Sequence, residues 1–156
     1  LADVAPMDRY KKLAEFTKGS HSLDSYDRQA LKNETIVVAK SSRQWTYQYC
    51  TEFGYFQTPY RSLHMRSSLL KYDFWIDYCK AIFGSQIVTR AKETNQEYGS
   101  VNLVTTNTFF VNGGEDPWQW AGVSQTSLNN ISRLLQCENC AHCVDLYTAK
   151  PSDSEL

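Results

Sequence analysis

The sequence lacks a surplus of either charge, a long apolar run and any internal repeat. Its 156 residues carry sixteen lysines and arginines against seventeen aspartates and glutamates, for a formal net charge of −1. Nucleic acids and anionic lipids are bound through an excess of positive charge, which this chain does not have. No apolar run approaches the roughly 18–20 residues that span a bilayer. We therefore expect neither nucleic acid nor a membrane as a partner.

The composition is otherwise that of an ordinary globular protein. Hydrophobic residues make up 42% and charged residues 21% of the chain, which excludes disorder, collagen and coiled coil as descriptions of the whole. A chain of this length is sufficient for one compact domain with its own core.

Several features point to the secretory route. The chain begins at Leu1 and its first methionine is Met7, which indicates that a segment upstream was removed or omitted. Five cysteines, together with glycosylation sequons at Asn33 and Asn130, are typical of an oxidising compartment. We expect a glycosylated protein that is secreted or resides in the lysosomal or endosomal lumen.

Helical patterns dominate the first hundred residues. Apolar side chains at helical spacing predict helices over residues 5–18 and 68–83, stopped by Gly19 and Gly84, and a weaker one over 86–98. This part of the chain is therefore predicted to be helical.

Beyond residue 100 the pattern changes to that of strands. β-branched and aromatic residues predict a buried strand over residues 105–111, a second strand over 131–136 and a short helix over 143–150. Aromatic side chains are predicted to fill the core, namely Trp75, Tyr78, Phe109 and Phe110. The fold class is α/β, with a change of character near residue 100.

Each predicted strand is followed by a residue that is capable of acid–base chemistry. Asp116 comes after the first strand, behind Gly113 and Gly114, and His142 comes after the second. A carboxylate followed by a histidine at strand ends is the order of an α/β-hydrolase triad, in which the histidine takes the proton of a serine and the carboxylate fixes its tautomer. The glycines are expected to let the chain turn sharply off the strand and place the carboxylate, at a position where a Cβ would be crowded. An Asp-Pro turn and a half-exposed loop histidine would give the same spacing.

Three blocks of sequence resemble a known family of serine peptidases. They are Asn112–Trp118, Ala141–Leu146 and Trp45–Gly54. They are similar, in this order, to the aspartate block, the histidine block and the end of the helical cap domain in the family that includes lysosomal Pro-X carboxypeptidase, dipeptidyl peptidase II and thymus-specific serine protease. The resemblance covers roughly residues 43–156.

The resemblance implies the C-terminal part of an α/β-hydrolase core, preceded by helices of an inserted helical cap domain. Residues 1–100 would be the end of the cap, and residues 101–156 would be the last strands and helix of the core, with Asp116 as acid and His142 as base. The implied activity is that of a serine peptidase of post-proline or related exopeptidase type acting on peptides. No Gly-x-Ser-x-Gly occurs in the 156 residues, so the nucleophile is expected on an N-terminal chain of the same precursor. A homodimer is a further candidate assembly.

The resemblance also implies roles outside the triad. The block at the end of the cap would lie near the substrate cleft, and its mixed donors, acceptors and rings make four residues candidates for substrate binding: Trp45, Gln48, Thr51 and Glu52. Packing is an equally good explanation for them. Cys50 and Cys79 would form a disulfide. From its place directly after Asp116 and Pro117, Trp118 is expected to brace the acid turn.

A zinc site is the rival interpretation of the C-terminal cysteines. Cys137, Cys140, His142 and Cys143 place four potential zinc ligands within seven residues. Against zinc, only one such cluster is present, where zinc sites usually take a second pair from a distant segment. We expect no metal and no cofactor, and leave the pairing of these cysteines open. A non-catalytic binding or structural chain is the other alternative function.

Overall fold

The computed structural model describes residues 4–17, 25–59, 66–128 and 130–151. The chain divides into two compact units, Leu1–Ala91 and Lys92–Leu156. None of the helices in these described ranges combines the length and the apolar character needed to cross a bilayer.

The first unit is helical. Its helices are α1 (Pro6–Thr17), α2 (Arg28–Lys32), α3 (Ser42–Gln48), which continues into a π-helical turn (Tyr49–Phe53), and α4 (Tyr72–Phe83). Asp27 caps α2, since its Oδ1 accepts the backbone N–H groups of Gln29 and Ala30 at 2.8 and 3.4 Å. Neither α2 nor α3 was predicted, because helices of five and seven residues are too short to show a clear apolar period.

An aromatic core holds α2, α4 and the π-helical turn together. Its buried members are Leu31, Trp75, Tyr78 and Ile82, and the partly buried rings packed against them are Tyr49, Phe56, Phe74 and Phe83. The prediction that Trp75 and Tyr78 are core residues is confirmed, with 8% and 3% of their surface exposed.

The predicted helix over residues 5–18 is confirmed as α1, although its apolar stripe is exposed. Met7 and Phe16, at the two ends of the stripe, are 77% and 87% exposed. The predicted end at Lys18 and Gly19 lies outside the described residues.

Two predicted helices begin later than expected because their first residues make other hydrogen bonds. Ser67 forms a turn with its Oγ accepting the Leu69 N–H at 3.2 Å, so α4 begins at Tyr72 and not at residue 68. The helix predicted over 86–98 is α5 (Ala91–Tyr98). The residues just before α5 bond to the π-helical turn instead, with the Thr89 hydroxyl donating to the Cys50 carbonyl at 2.7 Å.

The second unit contains a two-stranded parallel sheet. Its strands are β1 (Phe109–Gly113) and β2 (Ile131–Leu135), paired in register from Phe109 with Ile131 to Gly113 with Leu135. The first strand therefore begins four residues later than predicted, because Asn107 has a left-handed backbone with φ of 56°. It also extends through Gly113, which was predicted to lie in the turn.

Two further predictions for this unit are wrong. Phe109 is 56% exposed and not part of a core, because it starts β1 opposite Ile131, which is itself 51% exposed. The predicted helix over residues 143–150 is a 3₁₀ turn over Val144–Leu146. Cys143 precedes this turn with a φ of 57°, a left-handed value that an α-helix does not accommodate.

Candidate active site

The turn after β1 carries the candidate acid. Asp116 is the N-cap of a 3₁₀ turn over Pro117–Ala121, and its Oδ1 accepts the Trp118 backbone N–H at 2.8 Å. Its own N–H donates to the Gly113 carbonyl at 3.1 Å. Pro117 occupies the first position of the turn, where no backbone donor is needed. The hydrogen bond from the Trp118 N–H therefore fixes the carboxylate relative to the local backbone.

The loop after β2 carries the candidate base. It runs from Leu135 through a disulfide between Cys137 and Cys140 to His142. Since β1 and β2 are parallel, both turns leave the same edge of the sheet. This edge brings the acid and the histidine together across twenty-six residues of sequence.

Asp116 and His142 are hydrogen-bonded. Asp116 Oδ2 lies 2.7 Å from His142 Nδ1. Asp116 is only 7% exposed, whereas 62% of the His142 side chain is exposed. With Nδ1–H directed at the carboxylate, Nε2 becomes the nitrogen that accepts a proton.

The pKa of Asp116 lies below its usual range. Burial alone would raise this pKa, but the hydrogen bond from His142, the hydrogen bond from the Trp118 N–H and the charge of His142 together outweigh it. Asp116 is therefore ionised at neutral pH, which is the form in which a triad carboxylate orients the imidazole.

The backbone of the acid turn packs closely against the backbone of the histidine loop. A Cβ on Gly113 would lie 2.6 Å from the Ala141 carbonyl oxygen and would overlap that of Cys140 as well. The expectation that a Cβ would be crowded at these glycines is thus confirmed at Gly113, which ends β1 and whose φ is not left-handed. Glu115 joins the acid turn to the histidine loop by two hydrogen bonds. Its N–H donates to the Cys140 carbonyl at 2.9 Å, and its Oε1 accepts the Asn139 N–H at 3.3 Å.

Trp118 flanks the pair on the acid side. Its ring centroid is 6.4 Å from that of His142, and its backbone N–H bonds to Asp116. Asp145, the other nearby carboxylate in sequence, is exposed in the 3₁₀ turn after the histidine. Within the described residues the carboxylate partner of His142 is Asp116.

The four candidate substrate-binding residues lie in the other unit. Trp45 and Gln48 belong to α3, whereas Thr51 and Glu52 belong to the π-helical turn. The Thr51 hydroxyl donates to the Tyr47 carbonyl at 2.8 Å, so its proton is used within the helix. Trp45, Gln48 and Glu52 are exposed, and a role in substrate binding remains a prediction for all four.

The structure pairs four of the five cysteines. Cys50 and Cys79, both buried, form the disulfide that the resemblance implied, with a Cα–Cα distance of 5.7 Å. The second disulfide, between Cys137 and Cys140, is one that the sequence left open. It argues against the zinc alternative, because both thiolates that zinc would require are consumed in the bond.

The two sequons differ in accessibility. Asn33 is exposed, and its Oδ1 accepts the Thr35 N–H at 3.0 Å. Asn130 is 5% exposed; its Nδ2 donates to the Leu103 carbonyl and its Oδ1 accepts the Thr105 hydroxyl at 2.9 Å. A glycan at Asn130 stays a prediction, and the burial and hydrogen bond of the nitrogen that would carry it argue against it.

Sequence reasoning missed Glu115 and the disulfide-closed loop as parts of this site. The pattern Cys137-x2-Cys140 ends two residues before the candidate base, and Glu115 immediately precedes the candidate acid. Closeness in sequence to the candidate acid and base was the available signal. It does not predict which backbone groups face each other at the edge of the sheet.

Comparison with known proteins identifies a family. The model of the family described as serine carboxypeptidase S28 matches residues 7–156. The probable serine protease EDA2 of Arabidopsis thaliana is 34% identical over 122 residues, which cover 78% of this chain and 25% of that protein. The human thymus-specific serine protease is 32% identical over 146 residues, covering 86% of this chain and 28% of that protein.

A fungal relative carries a compartment in its name. The probable extracellular serine carboxypeptidase of Arthroderma benhamiae is 34% identical over 109 residues, covering 67% of this chain and 15% of that protein. No solved structure matches the chain. The chain spans about a quarter of the length of the first two of these relatives. From residue 7 to its last residue, it belongs to the serine carboxypeptidase S28 family.

Proposed function

We propose that this chain supplies the acid and the base of a serine-peptidase triad, Asp116 and His142, to a nucleophilic serine in another segment of the same protein. The observation that carries the proposal is the 2.7 Å contact between Asp116 Oδ2 and His142 Nδ1 at the common edge of two parallel strands. Family membership supports the choice of serine chemistry.

The mechanism follows from the order of the hydrogen bonds. A serine hydroxyl is a weak nucleophile until a neutral imidazole accepts its proton. Asp116 holds the Nδ1–H of His142, so Nε2 is the base that takes the serine proton and later gives it to the leaving amine. The ionised, buried carboxylate stabilises the imidazolium that forms between these steps.

The proposed substrates are peptides cleaved from an end, in a post-proline or related exopeptidase reaction. The family description as serine carboxypeptidase supports an exopeptidase. In the proposed architecture, residues 1–100 are the end of a helical cap domain and residues 101–156 are the last part of an α/β-hydrolase core. The mixture of helices with a parallel sheet fits this arrangement.

The proposed compartment is oxidising. Two disulfides, an exposed sequon at Asn33 and a relative named as extracellular support a secreted protein. The lysosomal or endosomal lumen is the other compartment in which the same features persist.

Covalent labelling with a fluorophosphonate tests the proposed function. Residues 1–156 alone should not be labelled, because they contain no Gly-x-Ser-x-Gly. The assembled peptidase should be labelled at a serine outside this chain, and His142→Ala should suppress that labelling. Labelling of the isolated chain, or full labelling of the His142→Ala enzyme, would contradict the proposal.

A further inference from the structure

A disulfide closes the segment that leads to the candidate base. The Cα atoms of Cys137 and Cys140 are 5.2 Å apart, and the Cys140 N–H donates to the Cys137 carbonyl at 3.2 Å. His142 follows only two residues later. A bond that fixes the conformation of this four-residue loop therefore also fixes the backbone position from which the His142 segment begins.

The acid turn binds this loop directly. Glu115 donates its N–H to the Cys140 carbonyl at 2.9 Å and accepts the Asn139 N–H on its carboxylate at 3.3 Å. Gly113 leaves the space into which the Cys140 and Ala141 carbonyls fit. The residue just before the acid thus bonds to the disulfide loop, in addition to the bond between Asp116 and His142 themselves.

We propose that the Cys137–Cys140 disulfide is a positioning element that holds His142 against Asp116, and that a dithiol can switch the peptidase off by opening it. This inference rests on the proposed function of the two residues. With the loop open, the carbonyl of Cys140 and the N–H of Asn139 lose their fixed spacing, so Glu115 no longer holds both. The imidazole then loses the orientation that directs Nε2 at the serine.

The exposures of the two cysteines set the course of the reaction. Cys137 is exposed whereas Cys140 is 0% exposed. A thiolate of the dithiol attacks the Cys137 sulfur, forms a mixed disulfide and releases Cys140 as a thiolate, which takes up a proton. The second thiol of the reagent then displaces Cys137. Two electrons and two protons pass to the protein, and the reagent leaves as a cyclic disulfide.

The other disulfide provides an internal control. Cys50 and Cys79 are 0% and 1% exposed, so a dithiol acting on the folded protein should reach Cys137 first. Cys143 is a free, exposed thiol in the neighbouring turn and would exchange with an opened disulfide. The experiment is therefore run in a Cys143→Ser background, against which every other change is compared.

The test uses the assembled peptidase with a peptide substrate and dithiothreitol as the dithiol. The kcat should fall by about a hundredfold in step with opening of Cys137–Cys140 in peptide maps, while KM changes by less than about twofold and Cys50–Cys79 stays closed. Reoxidation should restore kcat. An unchanged kcat with the Cys137–Cys140 bond open, or a loss that appears only when Cys50–Cys79 opens, overturns the proposal.

Substitution separates positioning from a structural role. The double change Cys137→Ser and Cys140→Ser should lower kcat as reduction does, but should cost less than about twofold more in an enzyme that already carries Asp116→Asn, because groups acting as one unit are not additive. A full further loss in the Asp116→Asn enzyme would mean a structural disulfide. If the double variant does not fold, the reduction experiment on the unsubstituted cysteines decides.

The same set of variants separates the two proposals. If Asp116→Asn itself spares kcat, the proposed function fails and this inference fails with it. If Asp116→Asn abolishes turnover while opening Cys137–Cys140 leaves kcat within about twofold, only the role of the disulfide is wrong.

Discussion

Asp116 uses its two carboxylate oxygens for different partners, and one of these is His142. Oδ2 lies 2.7 Å from His142 Nδ1, whereas Oδ1 accepts the Trp118 backbone N–H at 2.8 Å. The residue is thus both the cap of a turn and the proposed acid of a triad. This division makes the two roles separable by mutation.

Asp116→Asn should preserve the fold and abolish turnover. The asparagine oxygen can still accept the Trp118 N–H, but an amide NH₂ in place of Oδ2 cannot accept a proton from His142 Nδ1 and favours the wrong tautomer. We expect kcat to fall by roughly 10⁴-fold, the loss recorded for the equivalent change in another triad enzyme. The Tm should fall by only a few degrees, because the cap is kept and only the stabilisation from the ionised carboxylate is lost. Steady-state kinetics and a thermal melt measure the two effects.

Asp116→Ala is the comparison that removes the cap as well. It should lower the free energy of unfolding by about 1 kcal/mol beyond any effect of the asparagine variant. Asp145→Asn is the matched control, because this carboxylate is exposed three residues beyond the histidine. If Asp145→Asn abolished turnover and Asp116→Asn spared it, the acid would be misassigned.

Stability should depend on pH through Asp116. Its pKa is lowered in the folded state from an ordinary value of 3.8, so its ionisation stabilises the fold above about pH 4. That contribution is lost as the pH falls through the lowered pKa. His142→Ala removes one hydrogen bond and one charge that lower the pKa, so acid unfolding should begin at a higher pH in this variant.

Urea unfolding across the acidic range measures this shift, with Asp145→Asn as the reference. The midpoint pH of acid unfolding should move upward in His142→Ala and stay in place in Asp145→Asn. An identical midpoint pH of acid unfolding in His142→Ala and in the unsubstituted protein would show that His142 does not lower the pKa of Asp116.

Gly113→Ala should destabilise the second unit and misplace the base. The added methyl group would press on the backbone carbonyls of Cys140 and Ala141, which are parts of the histidine loop and cannot rotate away. Overpacking of this kind costs about 1–3 kcal/mol. The free energy of unfolding and kcat should therefore both fall.

Gly114→Ala is its matched control, since the three atoms nearest to a Cβ there belong to Leu135 and Gln136, with the Leu135 carbonyl oxygen at 3.0 Å, and none belongs to Cys140 or Ala141. We expect a smaller loss of stability and a kcat closer to the unsubstituted value. Equal effects of both substitutions on kcat would remove Gly113 from the account of the site.

Glycan occupancy should distinguish the two sequons. Amidase treatment of protein expressed through the secretory pathway should increase gel mobility, and Asn33→Gln should abolish this change. Asn130→Gln should leave the mobility change intact and destabilise the fold, because its two side-chain hydrogen bonds are lost. Persistence of a glycan at Asn130 would contradict the burial of this side chain.

The sequence anticipated elements where one local signal dominates. Apolar spacing predicted α1 and α4, and β-branched and aromatic residues predicted both strands. The ends of these elements were set by hydrogen bonds that composition does not reveal, such as the Ser67 turn before α4 and the contact of Thr89 with the Cys50 carbonyl before α5.

The candidate site was predictable because its chemistry is ordered along the chain. Asp116 and His142 each follow a strand, and parallel pairing places both strand ends at one edge. What the sequence did not predict depends on contacts across that edge. Crowding of a Cβ at the glycines was expected, but the sequence did not show that Gly113 faces the Cys140 and Ala141 carbonyls. It also did not show that Glu115 bonds to the disulfide loop.

The central claim, that Asp116 and His142 act as one catalytic unit, is tested most directly by the kcat of the double variant Asp116→Asn with His142→Ala in the assembled peptidase. Members of a triad are strongly non-additive, so the double variant should be no more than about threefold slower than the worse single variant. A kcat that falls by the product of the two single losses would contradict the account, because two independent residues would then be responsible.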